Sequence, residues 1–177
     1  MNNIYKKLVA ATVATLVFIG TQSGVTFAKE PDAPAFENPD KPVNEEILKE
    51  TFGKHISNEE KDLLARLVEA EAKGESYEGK VAVATVVLNR VDSSEFPNNI
   101  SDVIYEKVGH AYAFSPVQNR EIEQPASEEA IKAVKEAITS PDRLNHAIYF
   151  YNPDIATDDW IRSRQIVKTI DNHVFAI

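Results

Sequence analysis

From Leu63 to Val91 the chain reads LLARLVEAEAKGESYEGKVAVATVVLNRV. Two helices joined by a short elbow account for this stretch. Just upstream, Ser57 and Glu60 stand three apart, the spacing of a capping box, in which the Ser and Glu side chains each accept from the other's backbone N–H. The helix they open carries Leu63, Leu64, Leu67 and Val68 at helical spacing, and Gly74 supplies the stop. Ser76 caps a second helix, whose body runs from Val81 to Val91. That run is apolar almost throughout and β-branched enough for a buried strand. Its length, Ala82 and Ala84, and its lack of turn residues predict a buried helix instead.

Further along, a short helix is expected around Ser101–Lys107 and a clearer one around Ser127–Thr139. The clearer one has Ser127 as cap, Ala130, Ile131, Val134 and Ile138 as its inner stripe, and Pro141 just beyond its end. The last third changes character. Ala147–Tyr151 is aromatic and β-branched, Asn152-Pro153 signals a turn, and Ile166–Ile170 can pair with His173–Ile177 across Asp171-Asn172. The sum is an α+β layout, mainly helical with a small β element.

Upstream, residues 1–28 read as an address. Lys6 and Lys7 precede an apolar run from Leu8 to Gly20, and Thr26-Phe27-Ala28 offers a cleavage site, so a secretory signal peptide is expected; the apolar run is short for a membrane span. Residues 29–56 read as a linker, with prolines at 31, 34, 39 and 42 among acidic residues. The functional domain is then 57–177, outside the cytoplasm. Removing Lys6 and Lys7 with the leader takes the formal charge of the 177-residue chain from −9 to −11. That balance disfavours nucleic acid and anionic membrane as partners and leaves affinity for an anionic cell wall to a local groove. The chain has no cysteine, which excludes a Cys–His nucleophile. Histidines at 55, 110, 146 and 173 show no metal-ligand spacing, so no metal is expected.

Among residues that could carry chemistry, Glu71 stands out. It lies four after Leu67 and seven after Leu64, on the apolar stripe, whereas Glu69 shares a face with Asp62 and Arg66. A carboxyl buried near a helix end is desolvated and kept protonated, and a protonated acid beside a groove is what glycosidic cleavage requires. On pattern alone the other reading stands level: a buried Glu tied to Arg90 or to backbone amides. Glu75, one turn on, is by itself a solvated loop-end carboxylate, with an acid–base or metal-binding pair as the functional alternative. Asn89 and Arg90 are polar positions in an apolar helix and need partners there; Arg90 is read as structural, with a role in tuning Glu71 or Glu75 as the alternative. Aromatic and polar groups mix at His110–Val117 and Tyr149–Pro153. Ser115, Tyr151, Asn152 and Trp160 are the candidates for binding sugar rings, against ordinary core packing.

The quoted stretch, together with FPNNISDVIYE, AFSPVQN, AIYFYNP and IDNHVF, resembles the germination-specific cell-wall hydrolases, the spore cortex-lytic family, from about Leu63 to Phe175. The resemblance implies a fold related to lytic transglycosylases and goose-type lysozyme, with one Glu at the end of an early helix as acid and base. Glu71, the first Glu of E-A-K-G-E, matches that position, and Glu75 matches the second family Glu, as support for the site. It also implies peptidoglycan glycan strands as substrate, some members preferring the muramic lactam of spore cortex, and no cofactor. Two positions depart from the expected pattern. Ala113 stands where a polar residue, and Arg120 where a glycine, would be expected.

Three alternatives accompany this reading. A muramidase would cleave the same bond with water. An N-acetylmuramoyl amidase is disfavoured by the missing Cys and scattered His. A non-catalytic wall-associated protein would retain Glu71 as a structural residue only. An accessory or inhibitor protein is carried as a further partner.

Overall fold

The computed structural model describes residues 56–177, so the signal-peptide and linker readings of residues 1–55 lie outside the described residues. The expected pair of helices is present as α1 (Asn58–Glu71) and α2 (Tyr77–Asp92). The capping box forms as read: Ser57 Oγ accepts from Glu60 N and Glu60 Oε2 accepts from Ser57 N, each at 3.1 Å. Ser76 caps α2 by accepting from Gly79 N. Between the helices Gly74 takes φ +84°, a left-handed turn that glycine makes without a Cβ penalty.

Helix α2 is buried along nearly its whole length and forms the axis of the domain. Against it pack α1, α3 (Ile100–Ile104) and α5 (Glu128–Thr139). Leu64, Leu67, Val68, Val83, Val86 and Leu88 are fully enclosed at these contacts, and each such side chain contributes about 1.5–3 kcal/mol relative to an exposed one. α5 begins at the expected cap, but its inner stripe is Ala130, Ala133, Val134, Ala137 and Ile138; Ile131 is 38% exposed. Small alanines let α5 approach α2 closely, and the contact face rotates toward them and away from Ile131. The short helix starts earlier than expected because Asn99, not Ser101, is its cap, accepting from Asp102 N at 2.8 Å.

Lys107 enters a two-stranded ribbon instead, β1 (Lys107–Val108) with β2 (Ala111–Tyr112), turning at Gly109 with φ +65°. A short helix α4 (Ser115–Gln118) and a 3-10 turn (Glu121–Glu123) follow, and both pack on α1. Arg66 Nη1 donates to Ile122 O at 3.0 Å and pins that turn to the helix. Arg120, which precedes the turn, holds φ +68°, and this gives the glycine expected at that position a backbone reason. Its guanidinium answers with a two-pronged contact to Glu123 at 2.8 and 2.9 Å.

The C-terminal strands form an antiparallel sheet in the order β3 (Tyr149–Tyr151), β5 (His173–Ala176), β4 (Ile166–Ile170). The β4–β5 pairing across Asp171-Asn172 is as expected, with Ile170 opposite His173. A second, smaller cluster of Tyr149, Tyr151, Ile161, Val174 and Ala176 sits on this sheet, covered in part by α6 (Asp159–Arg162). Ahead of β3, Leu144, Asn145 and His146 all hold positive φ, between 46° and 60°. The buried Asn89 of α2 supports this costly turn by donating from Nδ2 to both Arg143 O and Ala147 O at 2.9 Å.

Candidate active site

Glu71 is the last residue of α1, where the apolar stripe has brought it inward to 6% exposure. Neither carboxyl oxygen receives a hydrogen bond. Burial pushes its pKa up to about 8, opposed by the charge of Arg90 and reinforced by that of Glu121 on the 3-10 turn. At neutral pH the group is therefore mostly a neutral acid that holds a proton and has no internal acceptor for it. This geometry separates the two readings of Glu71, because it is tied neither to backbone amides nor to Arg90 by a hydrogen bond or ion pair.

Arg90 finds other partners. Its Nε donates to Ile148 O at 2.8 Å, and its guanidinium carbon lies 5.1 Å from the Phe96 ring centre and 5.0 Å from that of Phe114. Burial lowers its pKa to about 10, with Glu106, Tyr149 and Glu71 acting in the opposite direction. It remains a cation, fixed between two rings, whose field reaches Glu71. That field matters most once Glu71 has released its proton, when it stabilises the carboxylate.

Glu75 is placed differently. Its Oε2 accepts from Asn172 N at 3.1 Å and its Oε1 from Asn172 Nδ2 at 3.0 Å, and His173 Nδ1 stands 3.9 Å from Oε2. Its carboxylate is thus engaged by the turn between β4 and β5. The charges that bear on Glu71 come from Arg90 and Glu121. Glu69, expected on the solvent face with Asp62 and Arg66, is half-buried. It accepts from the backbone N and hydroxyl of Ser127, tying the end of α1 to the cap of α5.

The candidate sugar-binding residues fall into two groups. Ser115 opens α4, which packs on α1. Tyr151 is buried in the second cluster, and Trp160 packs against that cluster. Asn152 follows Tyr151 and turns the chain, its Oδ1 accepting from Asp154 N at 2.9 Å. Trp160 stands edge-on to Tyr149 at 5.2 Å, and the Arg164 guanidinium lies 4.5 Å from its ring centre. A chain of contacts leads from the second group to Arg90: Trp160 to Tyr149, Tyr149 to Phe96 at 6.3 Å, and Phe96 to Arg90. Sequence reasoning named the segment that holds Tyr149 without singling that residue out, and missed Phe96, Glu106 and Glu121. Alternation along β3 could have found Tyr149, since Tyr149 and Tyr151 share a face. The other three carry no local signal, because only the fold brings them near Arg90 or Glu71. Among the described residues no group of three or more His, Asp or Glu could hold a metal ion, and no helix is long and apolar enough to cross a membrane.

Comparison with known proteins agrees with this architecture. Residues 74–176 match the family model described as Cell Wall Hydrolase. The spore cortex-lytic enzyme of Bacillus subtilis (strain 168) is 43% identical over 120 residues, covering 68% of this chain and 38% of that protein. A spore cortex-lytic enzyme of Bacillus cereus is 45% identical over 113 residues, covering 64% of this chain and 42% of that protein. The chain thus spans less than half the length of these relatives. Among solved structures, the catalytic domain of the germination-specific lytic transglycosylase SleB from Bacillus anthracis superposes with a TM-score of 0.62 at 41% identity, covering 68% of this chain and 96% of that one. With more than half of its residues inside the family model and a catalytic domain of the same fold beside it, this chain belongs to the cell wall hydrolase family.

Proposed function

We propose that this protein cleaves the glycosidic bond between N-acetylmuramic acid and N-acetylglucosamine in peptidoglycan, as a lytic transglycosylase of spore cortex or cell wall. The observation that carries the reading is Glu71, a buried carboxyl at a helix end, without a hydrogen-bond partner and protonated at neutral pH. It donates its proton to the bridging oxygen as the bond from the muramic C1 breaks. The resulting carboxylate, in the field of Arg90, takes the proton of the muramic C6 hydroxyl while O6 bonds to C1. The products are a 1,6-anhydromuramic end and a free N-acetylglucosamine hydroxyl, and Glu71 is protonated again. No water is consumed and no second carboxylate has to act as nucleophile. The names of the relatives support this chemistry: spore cortex-lytic enzymes and the catalytic domain of a germination-specific lytic transglycosylase.

In this reading Ser115, Tyr151, Asn152 and Trp160 contact the glycan, and Glu75 supports the site from the elbow. The leader-like residues 1–28 fit a secreted protein of the wall or spore envelope. The test is mass spectrometry of fragments released by the purified protein from peptidoglycan and from spore cortex. Fragments ending in 1,6-anhydromuramic acid are expected. Reducing muramic ends would replace the transglycosylase by a muramidase, and no fragments from either substrate would overturn the enzymatic reading.

A further inference from the structure

The elbow that follows Glu71 is weakly built on its own. α1 stops at the Ala72 cap, Lys73 and Gly74 are exposed, and Gly74 runs left-handed. Inside the elbow a single backbone bond, Glu75 N to Ala72 O at 3.1 Å, closes the turn. A helix end followed by such a connection opens readily unless other elements hold it.

Those elements come from far away in sequence. Asp171 accepts from Ser76 N through Oδ2 at 2.8 Å, and Asn172 donates twice to the Glu75 carboxylate. His173 follows, buried, edge-on to Phe150 at 5.4 Å and to Phe175 at 6.3 Å. The approach is tight. A Cβ placed on Gly79 would lie 3.0 Å from Asp171 Oδ2 and 3.1 Å from the Glu75 Cβ, so only a glycine lets the first turn of α2 come this close to both. From the other side, Lys80 donates to Glu75 O at 3.0 Å while paired with Glu129 of α5 at 3.2 Å. The groups facing the Glu75 carboxylate are thus Asn172 and His173 from the hairpin, with Lys80 on its backbone.

We propose that the β4–β5 turn, through Asp171 and Asn172, is the positioning element for the acid. It grips the elbow that holds Glu71 in place, and Glu75 is its anchor rather than a second reacting carboxylate. The inference rests on Glu71 being the acid, as proposed above. Its consequence is specific. Glu71 keeps its proton because the end of α1 is dry. An elbow released from the hairpin admits water, lets the carboxyl ionise at lower pH, and moves it from its bond-breaking position.

The experiment compares Asn172→Asp, Glu75→Gln and the double variant for cleavage of soluble glycan strands across pH. Asn172→Asp sets two carboxylates against each other, whereas in Glu75→Gln the amide oxygen still accepts from Asn172 N and the amide NH2 can donate to Asn172 Oδ1 once that side chain turns over. For Asn172→Asp, kcat is expected to fall about 10- to 100-fold with KM nearly unchanged, the scale of a misplaced catalytic group, while Glu75→Gln, which keeps the clamp, should stay within a few-fold of wild type. In Asn172→Asp the alkaline limb of the pH profile, set by loss of the Glu71 proton, should move to lower pH. In the double variant the amide now at position 75 can donate to the carboxylate now at position 172 and accept from the backbone N–H there, so activity and the limb should recover.

An inactive Glu75→Gln, or a double variant no better than Asn172→Asp, would assign Glu75 to the chemistry and overturn the proposal. So would an Asn172→Asp protein with wild-type kcat and an unmoved limb. If Asn172→Asp does not fold, Asn172→Ala, which loses only the side-chain donors, must show the same displaced limb in smaller measure, and an unmoved limb there overturns the proposal equally. A failure of the acid assignment reads differently: Glu71→Gln would then retain activity, whereas failure of the clamp leaves Glu71→Gln inactive.

Discussion

Two carboxylates four residues apart show how differently one side chain can be used. Glu71 ends a helix on its buried stripe, and no donor meets it. Glu75 sits past the elbow with a largely covered side chain, yet the amide and backbone N–H of Asn172 satisfy it. Burying a carboxyl without donors disfavours its ionised form, while two N–H donors give the other carboxylate fixed partners. The first arrangement stores a proton for delivery, and the second joins two parts of the fold. Covalently the groups are identical, so the difference is made by partners about a hundred residues downstream.

The comparison would break most visibly at Glu71. Glu71→Gln should leave the fold intact and lower peptidoglycan cleavage by at least about 10³-fold, since loss of a proton donor exceeds ordinary general-acid contributions when the same group must also act as base. Release of soluble fragments measures it. Activity near wild type would make Glu71 as structural as Glu75.

Stability against pH sharpens the contrast without any substrate. Glu71 is raised in the folded state to about 8 from an ordinary 4.5. Its contribution to stability is therefore fully present below the unfolded value and is lost as pH rises through the folded one. Between those limits the melting temperature of the wild type should fall relative to Glu71→Gln, with a differential on the order of a few kcal/mol at the alkaline end. Parallel melting curves across pH would show Glu71 to be ordinary.

The buried Asn89, whose Nδ2 donates twice, extends the lesson to a polar group held by backbone carbonyls. Asn89→Ala removes both bonds that hold the left-handed turn at 144–146 and should cost about 2–4 kcal/mol in urea unfolding, since two buried carbonyls lose their donor. A loss below about 1 kcal/mol would mean that the turn holds itself.

Glu69 completes the series with the smallest effect. Glu69→Gln keeps an acceptor oxygen for Ser127 N and should change stability by less than about 1 kcal/mol and cleavage hardly at all. Thermal melting checks the first expectation and fragment release the second.

Much of the fold was legible because its signals are local. Ser57, Ser76 and Ser127 each accept a backbone N–H from a first helical turn, an interaction contained within four residues of chain. The β4–β5 pairing was legible for a similar reason, since two apolar runs flank a two-residue turn. Ile131 misled because periodicity defines a stripe of apolar residues without saying which edge of it the neighbour will cover. The small residues Ala133 and Ala137 decided that. The β1–β2 ribbon and the short helices α4 and α6 span two to four residues each, too few for a period to register.

The sequence by itself determined the helical pair, the caps, the C-terminal hairpin and the inward position of Glu71. All of these follow from hydrophobic spacing and from hydrogen bonds between near neighbours. Only the tertiary structure decided what each polar group meets. Arg90 goes to Ile148 O between two aromatic rings, Asn89 to the ends of a strained turn, Glu75 to Asn172, and Glu71 to nothing. Periodicity reports which face of a helix turns inward. The electrostatics of a buried group depends on atoms within a few ångströms, and in a folded chain those come from segments far apart in sequence.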